Sequence, residues 1–242
     1  MSTKPRWIDG LLKALSLPEN KDQTIYQIAT IDSKNKVHVR SHVNRDILFP
    51  KNHPSLPILI TTTDVRSPKV TQMLSHPEIE LAWWIAGSQD QFRISGTACI
   101  IPAPNHPFHI MQNIPSRSAL ATLTGSGEEN EKEPGLYDWE KKRRDVFNND
   151  MSRHMKAGWA TPTPGSVISS YDEAKSWPET LPKLEEAETE EDKKNLAIAL
   201  SNFALIAIEP FEVDWVQLGI TPNKRTKFTR DGEIWLEEIL VP

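Results

Sequence analysis

Cysteine is almost missing from the 242-residue chain. Cys99 is the only one, so no intramolecular disulfide can form, as suits a reducing compartment. A surplus of basic charge is missing as well: 28 Lys and Arg face 33 Asp and Glu, for a net charge of −5. No segment gathers the cationic density that tracks a phosphate backbone, so nucleic acid is not an expected partner. No apolar run approaches the roughly 20 residues that cross a bilayer, and the amino terminus MSTKPRWIDG has no apolar stretch of a secretory signal. A cytoplasmic protein with no membrane partner is expected. G-x-S-x-G, G-x-G-x-x-G and Walker-type loops do not occur, which removes the usual support for a serine hydrolase, a Rossmann dehydrogenase or a P-loop NTPase. Tyrosine is scarce, with 3 residues against 8 Trp, whereas the 19 prolines break the apolar runs and favour short strands and loops over long bundles.

What is present reads as a strand meander. After a first helix around Leu11, Leu12, Ala14 and Leu15 come strands at residues 24–31, 37–43, 58–63, 79–85 and 91–101, separated by polar turns. Ser67 suits the N-cap and Pro68 the first position of a short helix with Val70, Met73 and Leu74 on one face. Gly96 marks a bulge or tight bend. Residues 105–123 and 138–157 look helical, the second stretch broken near Asn148 to Asp150. The run 172–194 is so acidic that a solvated insertion is expected. Strands return at 203–208, 212–218, 226–230 and 234–240, the last two joined at Asp231-Gly232. The fold class is mainly β (β+α): a small barrel split by a helical insertion at about 105–200, in a single domain over 1–242.

Three groups of residues could carry chemistry. Arg66-Ser67-x-Lys69 stands where a central strand meets a helix, which gathers backbone N–H groups, a hydroxyl and two cations as phosphate sites do. The same residues also suit an ordinary capped surface helix. Arg40, His42 and Asn44 share one face of a strand, with Arg45 at its edge; they fit either a polar aromatic ligand or a solvated sheet face. Gln91, Trp215 and Arg225 say little on local grounds. His38 and His42 lie roughly 13 Å apart along a strand, too far for one metal, His106-x-x-His109 lacks further ligands, and Cys99 in an apolar strand suits a buried, inert thiol. No metal is expected.

Taken in order, RSHVNR, ITTTDVRSPKVTQML and ELAWWIAGSQDQFRISG resemble the pyridoxamine 5′-phosphate oxidase superfamily of FMN-binding split barrels, in particular an oxidase-like branch. That family has an Arg-led strand, a T-x-x-x-S-x-K phosphate turn, a strand pair ending in Q-x-x-x-x-G, and a Trp ten residues before an FMN-contacting Arg, the spacing of Trp215 and Arg225. The resemblance implies FMN as cofactor. It places Arg40, Ser41, His42, Val43 and Arg45 along the flavin and its ribityl chain, with Thr62 and Thr63 in the same pocket. Ser67 and Lys69 would hold the phosphate, Arg66 would replace the family's Arg that is Pro68 here, and Gln91 would meet the ring edge. Met151 and Ser152 would approach from the helix break, while Trp215 and Arg225 close the site. Because these sets come from two subunits in the family, a homodimer is implied. The oxidases grip their substrate with an Arg-x-His pair that is Thr221 and Asn223 here, and Arg45 stands at a substrate-contacting Lys. The expected activity is therefore that of a flavin oxidoreductase on another small molecule, with oxidation of pyridoxamine phosphate poor. The other reading is a non-catalytic carrier of FMN or a vitamin B6 phosphate.

Overall fold

A computed structural model describes residues 4–50, 53–108 and 137–242. Helix α1 (Arg6–Ser16) precedes the hairpin β1 (Ile25–Ile31) and β2 (Val37–Val43); short β3 (Asp46–Leu48) and β4 (Ile58–Asp64) follow, then α2 (Pro68–Ser75), β5 (Glu78–Ile85) and β6 (Asp90–Ile101). Beyond residue 136 come α3 (Trp139–Asp145), a π-helical turn (Val146–Asp150), α4 (Arg153–Gly158), α5 (Glu190–Asn202), β7 (Phe203–Gln217), β8 (Lys224–Asp231) and β9 (Ile234–Leu240). The strands form one antiparallel sheet in the order β2-β1-β5-β6-β7-β4-β3, with β8 and β9 extending from β7. The sheet curls so that Arg45, just after β2, donates its backbone N–H to the Ile60 carbonyl of β4 at 2.7 Å.

The nearly continuous apolar runs of β4 and β7 have a physical cause: both faces of these strands are covered. By the period of two, Leu59, Ala204, Ile206 and Ile208 enter one core with Trp7, Trp83 and Phe92. Ile58, Ile60, Phe203, Leu205 and Ala207 enter a second core with Phe147, Leu181 and Leu196. Burial of each large side chain contributes about 1.5–3 kcal/mol.

The structure departs from the sequence reading in two places. Residues 203–217 form one strand rather than two, because Pro210 sits at a bulge instead of an end. The register shifts between Ser95 and Gly96, with Gly96 opposite Pro210 and Ser95 opposite Glu212, and a Cβ on Gly96 would lie 2.8 Å from the Glu209 carbonyl oxygen. The acidic run is not simply solvated: Leu181 is buried, and α5 starts within the run, at Glu190, its N-terminal acids favoured by the helix dipole while Leu196 and Ala199 reach the second core. Most of the helix expected at 105–123 lies outside the described residues. The break expected near Asn148 is the π-helical turn.

Candidate functional site

A cleft of about 310 Å³ opens where β2, the end of β4 and α4 meet. Ser41, His42 and Val43 line it from β2, Arg45 from the segment just after, Thr62 and Thr63 from β4, and Lys69 from α2. The opposite wall is Met155, Gly158, Trp159 and Pro164, fixed where the Trp159 indole N–H donates to the Thr63 carbonyl at 3.1 Å. Seven residues that the sequence reading places together are thus brought to one cavity.

Ser67 occupies the cap position of α2, but its hydroxyl donates backward to the Asp64 carbonyl at 2.7 Å and does not cap the helix. The Lys69 ammonium hangs over this turn, 3.4 Å from both the Thr63 and Ser67 hydroxyls. The Arg40 guanidinium donates to Thr30 Oγ1 at 2.6 Å and Gln72 Oε1 at 3.0 Å. Among the described residues neither cation has a carboxylate within ion-pair distance. Burial pushes the Lys69 ammonium below its ordinary value and Arg40 pushes it further, with Asp64 offsetting part; burial lowers Arg40 too. Two cations without an ion pair beside a cleft form a site for an anion.

Arg66 departs from the expectation of a phosphate-holding cation. Its guanidinium is committed to Asp64, at 2.9 Å and 2.6 Å, and to the Thr161 carbonyl at 2.9 Å. It braces the wall instead of lining the cleft. Met151 is buried in the second core, so Met155 takes the place at the cleft expected of Met151. The Ser152 hydroxyl caps α4 by accepting from the Met155 N–H at 3.2 Å. Arg45 joins the π-helical turn, donating to the Asp150 carbonyl at 3.4 Å, and its Nε is enclosed without a partner. Burial lowers its pKa.

Gln91, Trp215 and Arg225 lie elsewhere, on adjacent strands at the far end of β7, where Gln91 pairs with Val216 and Val216 with Arg225. Thr62 pairs with Leu205. The two regions are therefore eleven residues apart along β7, roughly 35 Å of extended strand. Trp215 stacks on Phe92, with centroids 5.2 Å apart, and donates to Asp90 at 2.8 Å. Gly10 of α1 lies so close that a Cβ there would meet the indole at 2.4 Å. Arg225 forms an ion pair with Asp214 at 2.7 Å, and Arg93 shares the same carboxylate. Burial pushes Asp214 up, but hydrogen bonds from Arg225 and Arg93 outweigh it and hold the carboxyl below its ordinary range. Thr221 and Asn223 are exposed in the β7–β8 loop.

Gln72, Trp159 and Asp214 were not found by sequence reasoning. Gln72 had a local signal, a polar side chain beside Met73 on the buried side of α2. The other two had none, since their roles depend on partners far away in the chain. Among the described residues no three His, Cys, Asp or Glu side chains cluster as metal ligands, and no helix is long and apolar enough to cross a membrane.

Comparisons with known proteins bear on this geometry. Residues 4–102 match the family described as pyridoxamine 5′-phosphate oxidase, FMN-binding domain. A pyridoxamine 5′-phosphate oxidase-related, FMN-binding protein from Nostoc punctiforme PCC 73102 superposes with a TM-score of 0.67 at 19% identity, covering 99% of this chain and 100% of the other. PhzG from Burkholderia lata 383, solved in complex with tetrahydrophenazine-1-carboxylic acid, gives a TM-score of 0.59 at 13% identity, covering 98% and 91%. At these identities the two structures show a shared fold. No curated protein matches the chain. The matched segment contains α1, the sheet from β1 to β6, Arg40 and Lys69, and residues 4–102 are accordingly similar to the FMN-binding domain of the pyridoxamine 5′-phosphate oxidase family.

Proposed function

We propose that the protein is an FMN-dependent oxidoreductase acting on a small molecule, with each flavin held between two copies of the chain. The observation that carries this reading is the pair Arg40 and Lys69, half-buried cations that among the described residues form no ion pair, beside a polar cleft whose one lining carboxylate, Asp64, is paired with Arg66. FMN offers the missing partner, a phosphate of about −1.5 to −2 charge. When bound, FMN supplies hydride or electron transfer between substrate and acceptor. The residues of this chain bind and orient it: Arg40 and Lys69 take the phosphate, Thr62 and Thr63 offer polar walls, and Trp159 with Met155 excludes water from one side. Arg45 presents a further cation toward the substrate. The cleft lies at the small end of ligand sites, and Gln91, Trp215 and Arg225 stand too far along β7 to complete it within one chain. A second copy would supply them.

The outer face of β2, β1 and β5 suits that assembly. Val37 and Val39 are 65% and 62% exposed, and Ile25, Ile31 and Trp84 continue the same face. An apolar patch of this kind on a monomer marks an interface. Sedimentation of the FMN-loaded protein at micromolar concentration is expected to give a dimer. Val39→Asp with Trp84→Asp is expected to shift it to monomer and weaken FMN binding at least tenfold. A wild-type monomer that holds FMN tightly would remove the shared-site reading.

A non-catalytic FMN carrier is the second reading, favoured by Thr221 and Asn223, which offer neither a cation nor an imidazole to a substrate. Anaerobic stopped-flow mixing of the FMN-loaded protein with NADH, NADPH and pyridoxamine phosphate separates the two. The oxidoreductase reading expects one nicotinamide to bleach the bound flavin faster than free FMN, with pyridoxamine phosphate slow. If none reduces the flavin faster than free FMN, the carrier reading replaces it.

A further inference from the structure

His42 stands inside an anion site yet cannot serve it as a cation. The ring is 6% exposed, near enough to Lys69 and Arg40 for both to disfavour its charge, and its tautomer is fixed by a neighbour. The Thr61 hydroxyl donates its one proton to the Val43 carbonyl at 2.8 Å, so toward His42 Nδ1, 3.2 Å away, Thr61 Oγ1 can only accept. Nδ1 therefore carries the ring proton and Nε2 keeps its lone pair. Among the described residues nothing pairs with Nε2. It is not one of the enclosed unpaired atoms either, unlike Tyr26 Oη, Asn44 Oδ1 and Arg45 Nε, so it reaches the cleft that His42 lines. The ring stays neutral because burial, then Lys69 and Arg40, pushes its pKa down to about 3.

A bare acceptor is the wrong group to offer a phosphate oxygen, whose lone pairs it would face. Of the other polar side chains lining the cleft, Arg45, Lys69 and the hydroxyls of Ser41, Thr62 and Thr63 can donate, while the Asp64 carboxylate is taken up by Arg66. The acceptor is useful only if the ligand carries an O–H next to its phosphate. We propose that His42 Nε2 accepts a hydrogen bond from a chain hydroxyl of the bound flavin phosphate, so that the cleft selects a polyol phosphate over a phosphate on a plain alkyl chain. This rests on the reading of the cleft as the seat of the FMN phosphate and ribityl chain, and adds to it a specificity determinant. Bound phosphate would offset the two cations but would leave the ring buried, so it stays an acceptor in the complex.

The test compares FMN with a flavin whose ribityl chain is replaced by an unsubstituted pentyl chain bearing the same terminal phosphate. Affinities are read by flavin fluorescence in the wild type, His42→Leu and His42→Gln, with thermal melting of each variant to confirm folding. The wild type is expected to prefer FMN by about threefold to tenfold, the worth of one hydrogen bond. His42→Leu should bring the ratio to about one by losing FMN affinity alone, and His42→Gln, whose amide oxygen also accepts, should restore part of it. Lys69→Met should weaken both ligands equally and leave the ratio intact. A preference that survives in a folded His42→Leu protein overturns the proposal while the FMN reading stands. If the wild type binds neither flavin phosphate, both fall together.

Discussion

Lys69→Met is expected to weaken FMN binding about tenfold to a hundredfold while leaving the melting temperature of the flavin-free protein unchanged or higher. The two effects have one origin. Among the described residues the ammonium of the flavin-free protein is held by two hydroxyls at 3.4 Å and is pushed down in pKa by burial and by Arg40, which Asp64 offsets in part, so its charge works against folding. Methionine keeps the apolar stem and removes that cost. In the complex the charge meets a phosphate, and a charge-assisted contact of this kind is worth about 1.5–3 kcal/mol. Riboflavin, which has no phosphate, is the internal control. The wild type should prefer FMN strongly, and Lys69→Met should lose most of that preference by weakening FMN alone. Titration of both flavins into both proteins, with thermal scans of the flavin-free forms, checks each part. Equal affinity for the two flavins in the wild type, or unchanged FMN affinity in the variant, would remove Lys69 from the phosphate site.

The sequence made some of this site legible and left the rest out of reach, for physical reasons. The ends of β2 came out correctly because VHVRSHV alternates and the register against β1 runs without interruption from Ile25↔Val43 to Ile31↔Val37. The turn into α2 was readable because Pro68 fixes the first helical residue. Side-chain partnerships were not readable. Arg66 looks like a free cation next to Ser67, yet Asp64, two residues earlier, takes its guanidinium in a paired contact. Trp215 and Arg225 keep a ten-residue spacing, but the spacing says nothing of Gly10 pressed on the indole or of Asp214 between two arginines. The gap between the strands expected at 203–208 and 212–218 holds Pro210, which cannot donate to a ladder. A bulge opposite Gly96 let the strand run on, and that depends on a residue more than a hundred positions away.

Acid should destabilise the flavin-free protein through His42 in a window where carboxylates contribute little. In the unfolded chain this histidine takes up a proton near pH 6.5, whereas in the folded protein burial, Lys69 and Arg40 hold its pKa at about 3. Between those values the unfolded state binds up to one more proton than the folded state, so stability is full above pH 6.5 and falls as pH falls. The slope is about 1.4 kcal/mol per pH unit for one group, or about 2 kcal/mol between pH 6.5 and 5, a sizeable share of a domain's total. Asp32, held at about 2 by its hydrogen bond from His38, loses its stabilisation only as pH falls through its unfolded value near 3.8, below this window. Urea denaturation of the flavin-free wild type at pH 7.5, 6.5, 5.8 and 5.0 should therefore show a decline that His42→Gln largely lacks, since its amide does not titrate. FMN should flatten the wild-type decline in part, because phosphate offsets Lys69 and Arg40 but not the burial of the ring. Parallel pH profiles for wild type and variant would mean that His42 is protonated as easily folded as unfolded, and the neutral ring in the cleft would have to be given up.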